Sequence, residues 1–300
     1  MNNSCPVVSV IIPTYNGSDY ICEAIDSVFL QENVSFEIVV VDDGSTDDTW
    51  MKLQKYGTHI KCFKKNNGGV ASARNFGLLK SSGKYIALLD QDDRFLPGKL
   101  DAQILVMDSN DSVVLCHANI KMIDEEGHDI KNGFLIHDSE KPPSSGFILE
   151  ELFKWNTILA CTVLVRRDVL NRVNGFNESL WGVDDYEAWL KLSLQGDIIY
   201  LNKQLSEYRW HSSNASRDTF KMSLGRLMAR DVFLQKNKNA KELLGRKIIS
   251  SVFIKHAKDF SFPLYKLGET EKARKILQIA IRYAPFSLIL WKMYAASFFY

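Results

Sequence analysis

Three short apolar runs, two of them ended by acid, restrict what the first hundred residues can become. Val7-Val8-Ser9-Val10-Ile11-Ile12, Phe36-Glu37-Ile38-Val39-Val40-Val41 and Tyr85-Ile86-Ala87-Leu88-Leu89 are β-branched or bulky and nearly unbroken. Runs of this length and content read as strands covered on both faces. The stretches between them carry helical spacing, as at Ile21, Ala24, Ile25 and Val28, and Ser18 is placed to cap the first helix. Helices are expected over 18–29, 46–56 and 69–80, and Pro13 is expected to close the first strand. This β-α-β-α-β rhythm predicts an α/β fold with a mostly parallel, Rossmann-like sheet flanked by helices. Ligands of such sheets bind past the carboxyl ends of the strands. Asp42, Asp43, Asp90 and Asp92 all fall there.

Beyond Pro97 the rhythm loosens. Strands are expected at 112–116, 161–165, 198–201 and 205–209, and a helix over 185–194. A polar stretch covers 124–129, and a mobile loop is expected over 138–145, around Pro142-Pro143. From Phe220 onward only helices remain, with breaks near Pro263 and Pro285. The expected organisation is an α/β domain over 1–217, dividing near residue 100 where the rhythm loosens, and a helical region over 218–300.

Hydrophobic residues make up 46% of the 300 and charged ones 24%, enough for a packed core, which excludes disordered, collagen-like and disulfide-scaffold classes. The net charge of +1 offers no nucleic-acid footprint. That balance hides an asymmetry. Residues 1–217 carry 21 Lys/Arg against 30 Asp/Glu, net −9, whereas 218–300 carry 16 against 6, net +10. Lys236, Lys238, Lys241, Arg246, Lys247, Lys255 and Lys258 lie among Leu243, Leu244, Ile248, Ile249, Val252 and Phe253. An amphipathic segment of this kind suits an anionic membrane surface; packing on the α/β domain or a homo-oligomer interface is the alternative. Five cysteines without CxxC spacing suggest free thiols in a reducing compartment. The N-terminus lacks a basic, apolar leader, and the apolar run Phe286–Tyr300 contains Lys292 and is short of a bilayer span. A cytoplasmic protein, peripheral on the membrane, is expected.

Asp90-Gln91-Asp92-Asp93 places three carboxylates within four residues, a repulsion that Mg²⁺ or Mn²⁺ offsets. An acidic turn reads the same way. With Asp42-Asp43 ending a second strand of the same sheet, the two acidic ends converge on one edge.

In order, Val10-Ile11-Ile12-Pro13-Thr14-Tyr15-Asn16, Val41-Asp42-Asp43-Gly44-Ser45-Thr46-Asp47, Asn67-x-Gly69-x-Ala71-x-Ala73-Arg74-Asn75-x-Gly77 and Asp90-Gln91-Asp92-Asp93 resemble the motifs of family 2 glycosyltransferases. Trp181-Gly182-Val183-Asp184-Asp185-Tyr186-Glu187 is similar to that family's acidic catalytic segment. Tyr208-Arg209-x-His211-x-x-Asn214 is similar to its late histidine motif. The resemblance covers residues 6–217 and implies the GT-A fold, with 1–217 a catalytic domain made of a nucleotide-sugar-binding half over 1–100 and an acceptor-binding half over 101–217. It also implies a nucleotide-sugar donor, commonly a UDP-sugar, and inversion at the sugar. It implies that Pro13, Tyr15, Asp42, Arg74 and Asp90 contact the nucleotide, that Asp92 and His211 hold Mn²⁺ or Mg²⁺, and that Asp185 is the general base. Trp181, Asp184 and Arg209 would meet the sugar or acceptor, and a saccharide or lipid-linked saccharide in cell-envelope polysaccharide synthesis is the expected acceptor. The family usually has Glu-Asp where this chain has Asp184-Asp185, which leaves Asp184 between capping the helix and touching substrate.

Two rival functions would require different residues. A sugar nucleotidyltransferase would carry a glycine-rich basic loop near the N-terminus, and Thr14-Tyr15-Asn16-Gly17-Ser18 is not one. A non-catalytic scaffold derived from the same fold would have lost Asp92, Asp185 or His211, and all three are present.

Overall fold

The computed structural model describes residues 5–130 and 142–298. The chain divides into two compact units. The first takes residues up to 148 together with 157–214, and the second takes 149–156 and 215–300.

The first unit is built on strands β1 (Val8–Thr14), β2 (Phe36–Asp42), β3 (Lys61–Lys64), β4 (Tyr85–Leu88), β5 (Arg94–Phe95), β6 (Val113–Ile123), β7 (Leu164–Arg166) and β8 (Asp197–Arg209). They form one sheet in the order β3-β2-β1-β4-β7-β6-β8-β5. Of the first four in this order, β1, β2 and β4 run parallel as the sequence rhythm predicts, and β3, a strand that rhythm does not announce, is parallel to β2. The other half is mixed: β7 is antiparallel to both β4 and β6, β8 is parallel to β6, and β5 is antiparallel to β8. Helices α1 (Ile21–Phe29), α2 (Thr49–Gln54), α3 (Val70–Lys80), α4 (Lys99–Ser109), α6 (Arg167–Arg172) and α7 (Asp184–Leu192) accompany it.

Several boundaries differ from expectation. β1 continues through Pro13, which pairs with Val41. α1 starts after Tyr20 without a side-chain cap, and the Ser18 N–H donates instead to Asp47 Oδ2 at 3.1 Å. The two short strands expected over 198–209 are one strand, bent by register shifts against β6. Residues 138–141 of the expected mobile loop lie outside the described residues.

The core of the sheet is apolar on both faces, with Val10, Ile12, Val40, Ala87 and Leu89 enclosed on one and Val39 and Val41 on the other. Close approach of α3 to β1 depends on Gly77: a Cβ there would stand 2.5 Å from Ile11 Cγ2.

The second unit is helical: α5 (Leu149–Lys154), α8 (Thr219–Lys236), α9 (Lys238–Lys266), α10 (Thr270–Tyr283) and α11 (Leu288–Ala296). α5 joins it through Phe153, whose ring lies 6.3 Å from that of Phe253, and whose carbonyl accepts from Arg230 Nε at 2.7 Å. α9 is not broken at Pro263, which sits on an exposed side of its last turn. It is interrupted at Gly245, where φ 69° and ψ 156° leave the helical region that glycine alone leaves cheaply. The amphipathic reading of this segment also changes. Leu244, Ile249, Val252 and Phe253 are buried, so α9 packs most of its apolar side chains on its neighbours, while Leu243 stays exposed.

Candidate active site

The parallel strands deliver their acids to one edge, as their order requires. β2 ends at Asp42, fully buried; Oδ1 accepts from the Ser45 N–H at 2.8 Å. Its Oδ2 has Lys64 Nζ at 3.7 Å and no hydrogen bond. Asp43 turns the other way and braces the 65–69 loop, accepting from Lys65 Nζ at 2.7 Å and from the Gly69 N–H at 2.7 Å. Pro13 pairs with Val41 within β1 beside this turn, and Tyr15 is half exposed.

Gln91, the one uncharged residue of the Asp90–Asp93 turn, fixes that turn to the end of β1. Its Oε1 accepts from Thr14 Oγ1 at 2.7 Å and from the Tyr15 N–H at 2.8 Å. Its neighbour Asp92 meets His211: Oδ2 and Nε2 are 2.8 Å apart. Ser213 Oγ lies 2.8 Å from Nδ1, and the Asn214 side chain accepts from the His211 N–H. With Nδ1 engaged, Nε2 is the nitrogen offered to an ion. Adjacent ligands of an octahedral Mg²⁺-like ion with bonds of about 2.1 Å stand about 3 Å apart, close to the Asp92–His211 spacing. The donor set therefore fits a divalent cation. A different carboxylate and imidazole set, Asp124, Glu126 and His128, also gathers its atoms, but it is an exposed turn in which Asp124 Oδ1 accepts the His128 N–H.

Asp93 points inward. Burial, then the charges of Asp92 and Asp90, hold its carboxyl well above the usual range, and its Oδ1 accepts the Arg209 N–H at 3.0 Å. Arg209, expected near the acceptor, is fully enclosed. It donates to the carbonyls of Asp92 and Glu125 and to Glu23 Oε2 at 2.7 Å, with its guanidinium 4.5 Å from the Tyr20 ring centre. It is a brace for the 92–93 turn, with no face left for a sugar.

Arg74, expected near base and phosphates, ties two acids together. Nη2 donates to Asp90 Oδ1 at 2.7 Å and Nη1 to Asp184 Oδ2 at 2.8 Å. α7 opens with Asp184-Asp185 after Val183, and no side chain caps it, so Asp184 is the partner of Arg74 and not a cap. Burial raises the Asp184 carboxyl, against the opposing pull of Arg74. Asp185 keeps part of its surface accessible. Burial first, and then the neighbouring Asp184 charge, push it up to about 7, with Arg74 pulling the other way. Its Oδ1 accepts the Tyr186 N–H at 2.6 Å. Trp181, 52% exposed, stands three residues before α7.

The arrangement thus gathers Asp42, Asp90, Asp92, His211, Asp184 and Asp185 about the strand ends. Sequence reasoning missed the bracing roles of Gln91, Asp43 and Glu23; adjacency to the motifs was the sole signal for Gln91 and Asp43.

Residues 9–173 match the family described as glycosyl transferase family 2. The chain belongs to that family. An uncharacterized glycosyltransferase of Rickettsia typhi is 34% identical over 222 residues, 72% of this chain and 67% of its own length. One from Rickettsia felis matches equally well, but the chain spans only 36% of that relative. Hyaluronan synthase of Pasteurella multocida is 30% identical over 217 residues, 71% of this chain and 21% of the synthase. Among solved structures, S. aureus TarS 1–349 in complex with UDP-GlcNAc superimposes with a TM-score of 0.67 at 20% identity, over 97% of this chain and 88% of that one. The mannosyltransferase PcManGT of Pyrobaculum calidifontis, in complex with GDP-Man and Mn²⁺, gives 0.63 at 17% identity, over 98% and 80%. These two carry the fold, which is GT-A. This glycosyltransferase matches its family only to residue 173, so Asp185 and His211 lie beyond the matched stretch.

Proposed function

We propose that this glycosyltransferase transfers a sugar, with inversion, from a UDP-sugar to a hydroxyl of a saccharide or lipid-linked saccharide, with Asp185 as general base. The observation that carries the reading is the position of Asp185: at the start of α7, partly accessible, with its carboxyl near neutrality. A base poised near the working pH is the one that accepts a hydroxyl proton most effectively. The acceptor oxygen attacks the anomeric carbon while Asp185 takes its proton, and the diphosphate leaves from the opposite face. Asp92 and His211 would hold the divalent ion, Mn²⁺ or Mg²⁺, which supplies charge neutralisation at the leaving diphosphate. Asp42 is suited to the base, because its buried Oδ2 lacks a donor that an N–H of uracil would provide. Arg74 holds Asp90 in place beside the donor. The TarS complex with UDP-GlcNAc and the PcManGT complex with Mn²⁺ support a nucleotide-sugar and a metal. Relatives named hyaluronan and chondroitin synthase support a saccharide acceptor.

Calorimetric titration of UDP with Mn²⁺, and then with EDTA, tests the donor half. Binding that requires the metal and is lost in Asp92→Ala supports the reading. Metal-independent binding, or none, removes the metal role assigned to Asp92 and His211.

A further inference from the structure

We infer that the face formed by α11 and the last turn of α9 docks on an anionic lipid bilayer. The inference concerns the second unit alone and is independent of the chemistry proposed above.

α11 reads Leu-Ile-Leu-Trp-Lys-Met-Tyr-Ala-Ala, yet Leu290 is its one fully buried residue. Phe286 is 95% exposed, Leu288 76% and Phe298 60%. Such a cluster on a soluble surface marks an interaction site. Trp291 is half exposed and its indole N–H donates to the Pro285 carbonyl at 2.7 Å, so the ring can leave water without stranding its donor. α9 reaches the same place, since Tyr265 Oη donates to the Met293 carbonyl.

Cations are interleaved with these rings. Lys266 Nζ lies 4.9 Å from the centre of exposed Phe262, the Arg274 guanidinium 4.4 Å from that of Phe298, and Lys292 follows Trp291. An aromatic body with a cation at its edge suits the lipid headgroup layer, where apolar rings insert and long basic chains reach phosphate. No described helix is long and apolar enough to cross a membrane, so the element would lie in the surface plane. Charge selects this occupant over a second copy of the chain. Residues 218–300 carry net +10, so apposing two such faces brings like charges together, whereas an anionic surface neutralises them.

The test is co-sedimentation of the full chain with vesicles of phosphatidylcholine alone and of phosphatidylcholine mixed with phosphatidylglycerol, at low and high salt. Binding is expected to the mixed vesicles and to fall with salt. Lys266→Gln and Lys292→Gln should each weaken it about fivefold, the equivalent of about 1 kcal/mol per basic residue. Trp291→Ser with Phe298→Ser should reduce it further while circular dichroism and UDP binding stay unchanged, which separates this result from any failure at the donor site. Undiminished binding by these variants overturns the inference. So does failure to bind vesicles, whether or not sedimentation velocity reveals self-association that Trp291→Ser abolishes; if it does, the occupant is a second copy.

Discussion

Arg74 and Asp184 are 110 residues apart in sequence, yet Nη1 and Oδ2 lie 2.8 Å from each other with both side chains enclosed. The same guanidinium holds Asp90, so one cation links the donor-side turn to the first turn of α7. Removing a partner from a buried pair leaves an uncompensated charge, at a cost of about 3–5 kcal/mol.

Arg74 also acts on Asp185 through space, pulling its carboxyl down against burial and the Asp184 charge. Arg74→Lys keeps the cation but not both bonds, so the acid limb of kcat/KM should move to higher pH. An opposite charge a few ångströms away is worth about 1–3 units, and Lys should lose only part of that. Arg74→Met should move the limb further and lower the unfolding midpoint. A pH profile unchanged in both variants would separate Arg74 from the base.

Asp185→Asn should lower kcat by about 10²–10⁴-fold, the usual contribution of a positioned base. UDP affinity measured by calorimetry should change little. In the wild type the base is active when ionised, so kcat/KM should rise with pH through about 7 and then level off.

His256 makes the second unit acid-sensitive. It is buried, with Ser223 Oγ 3.0 Å from Nε2 and Arg230 Nη1 3.4 Å from Nδ1. Burial, then the charges of Arg230 and Arg226, depress it from 6.5 to about 3. The unfolded chain therefore takes up a proton that the folded chain refuses between those values. Stability is fully present above 6.5 and falls as pH drops toward 3, with a limiting slope of about 1.4 kcal/mol per pH unit. Denaturant midpoints across this range should fall less steeply for His256→Gln than for the wild type.

Gly77→Ala should destabilise the first unit although alanine is the better helix former. The added Cβ would stand 2.5 Å from Ile11 Cγ2 on a central strand. Overpacking of this kind costs typically 1–3 kcal/mol, against about 1 gained from propensity. Thermal melting would detect the difference.

Much of the first hundred residues was legible because local pattern and tertiary fate agree there. A strand buried on both faces must be apolar throughout, and Val39, Val40 and Val41 announce it without help from distant residues. Asp42 and Asp90 could be placed at one edge because parallel strands point their carboxyl ends the same way. Later strands were harder. β7 has three residues, too few to establish an alternation, and the register shifts of β8 break its pattern into what reads as two short strands. The boundary at Pro263 misled because the one backbone bond that proline forfeits, to the carbonyl of residue 259, lies on an exposed side where water can replace it.

The sequence alone determined the parallel core, the acidic strand ends and the charge division, since each is a property of neighbouring residues or of composition. Tertiary structure decided partners. Only in the fold does Arg209 turn from a sugar contact into a buried brace, Arg74 join Asp90 to Asp184, and α9 pack most of its apolar side chains on its neighbours while α11 keeps most of its own outside. A charged side chain can pair with any opposite charge, and a helical stripe can pack on any other. Chain topology selects which, because it alone sets the distances and the burial that give each contact its energy.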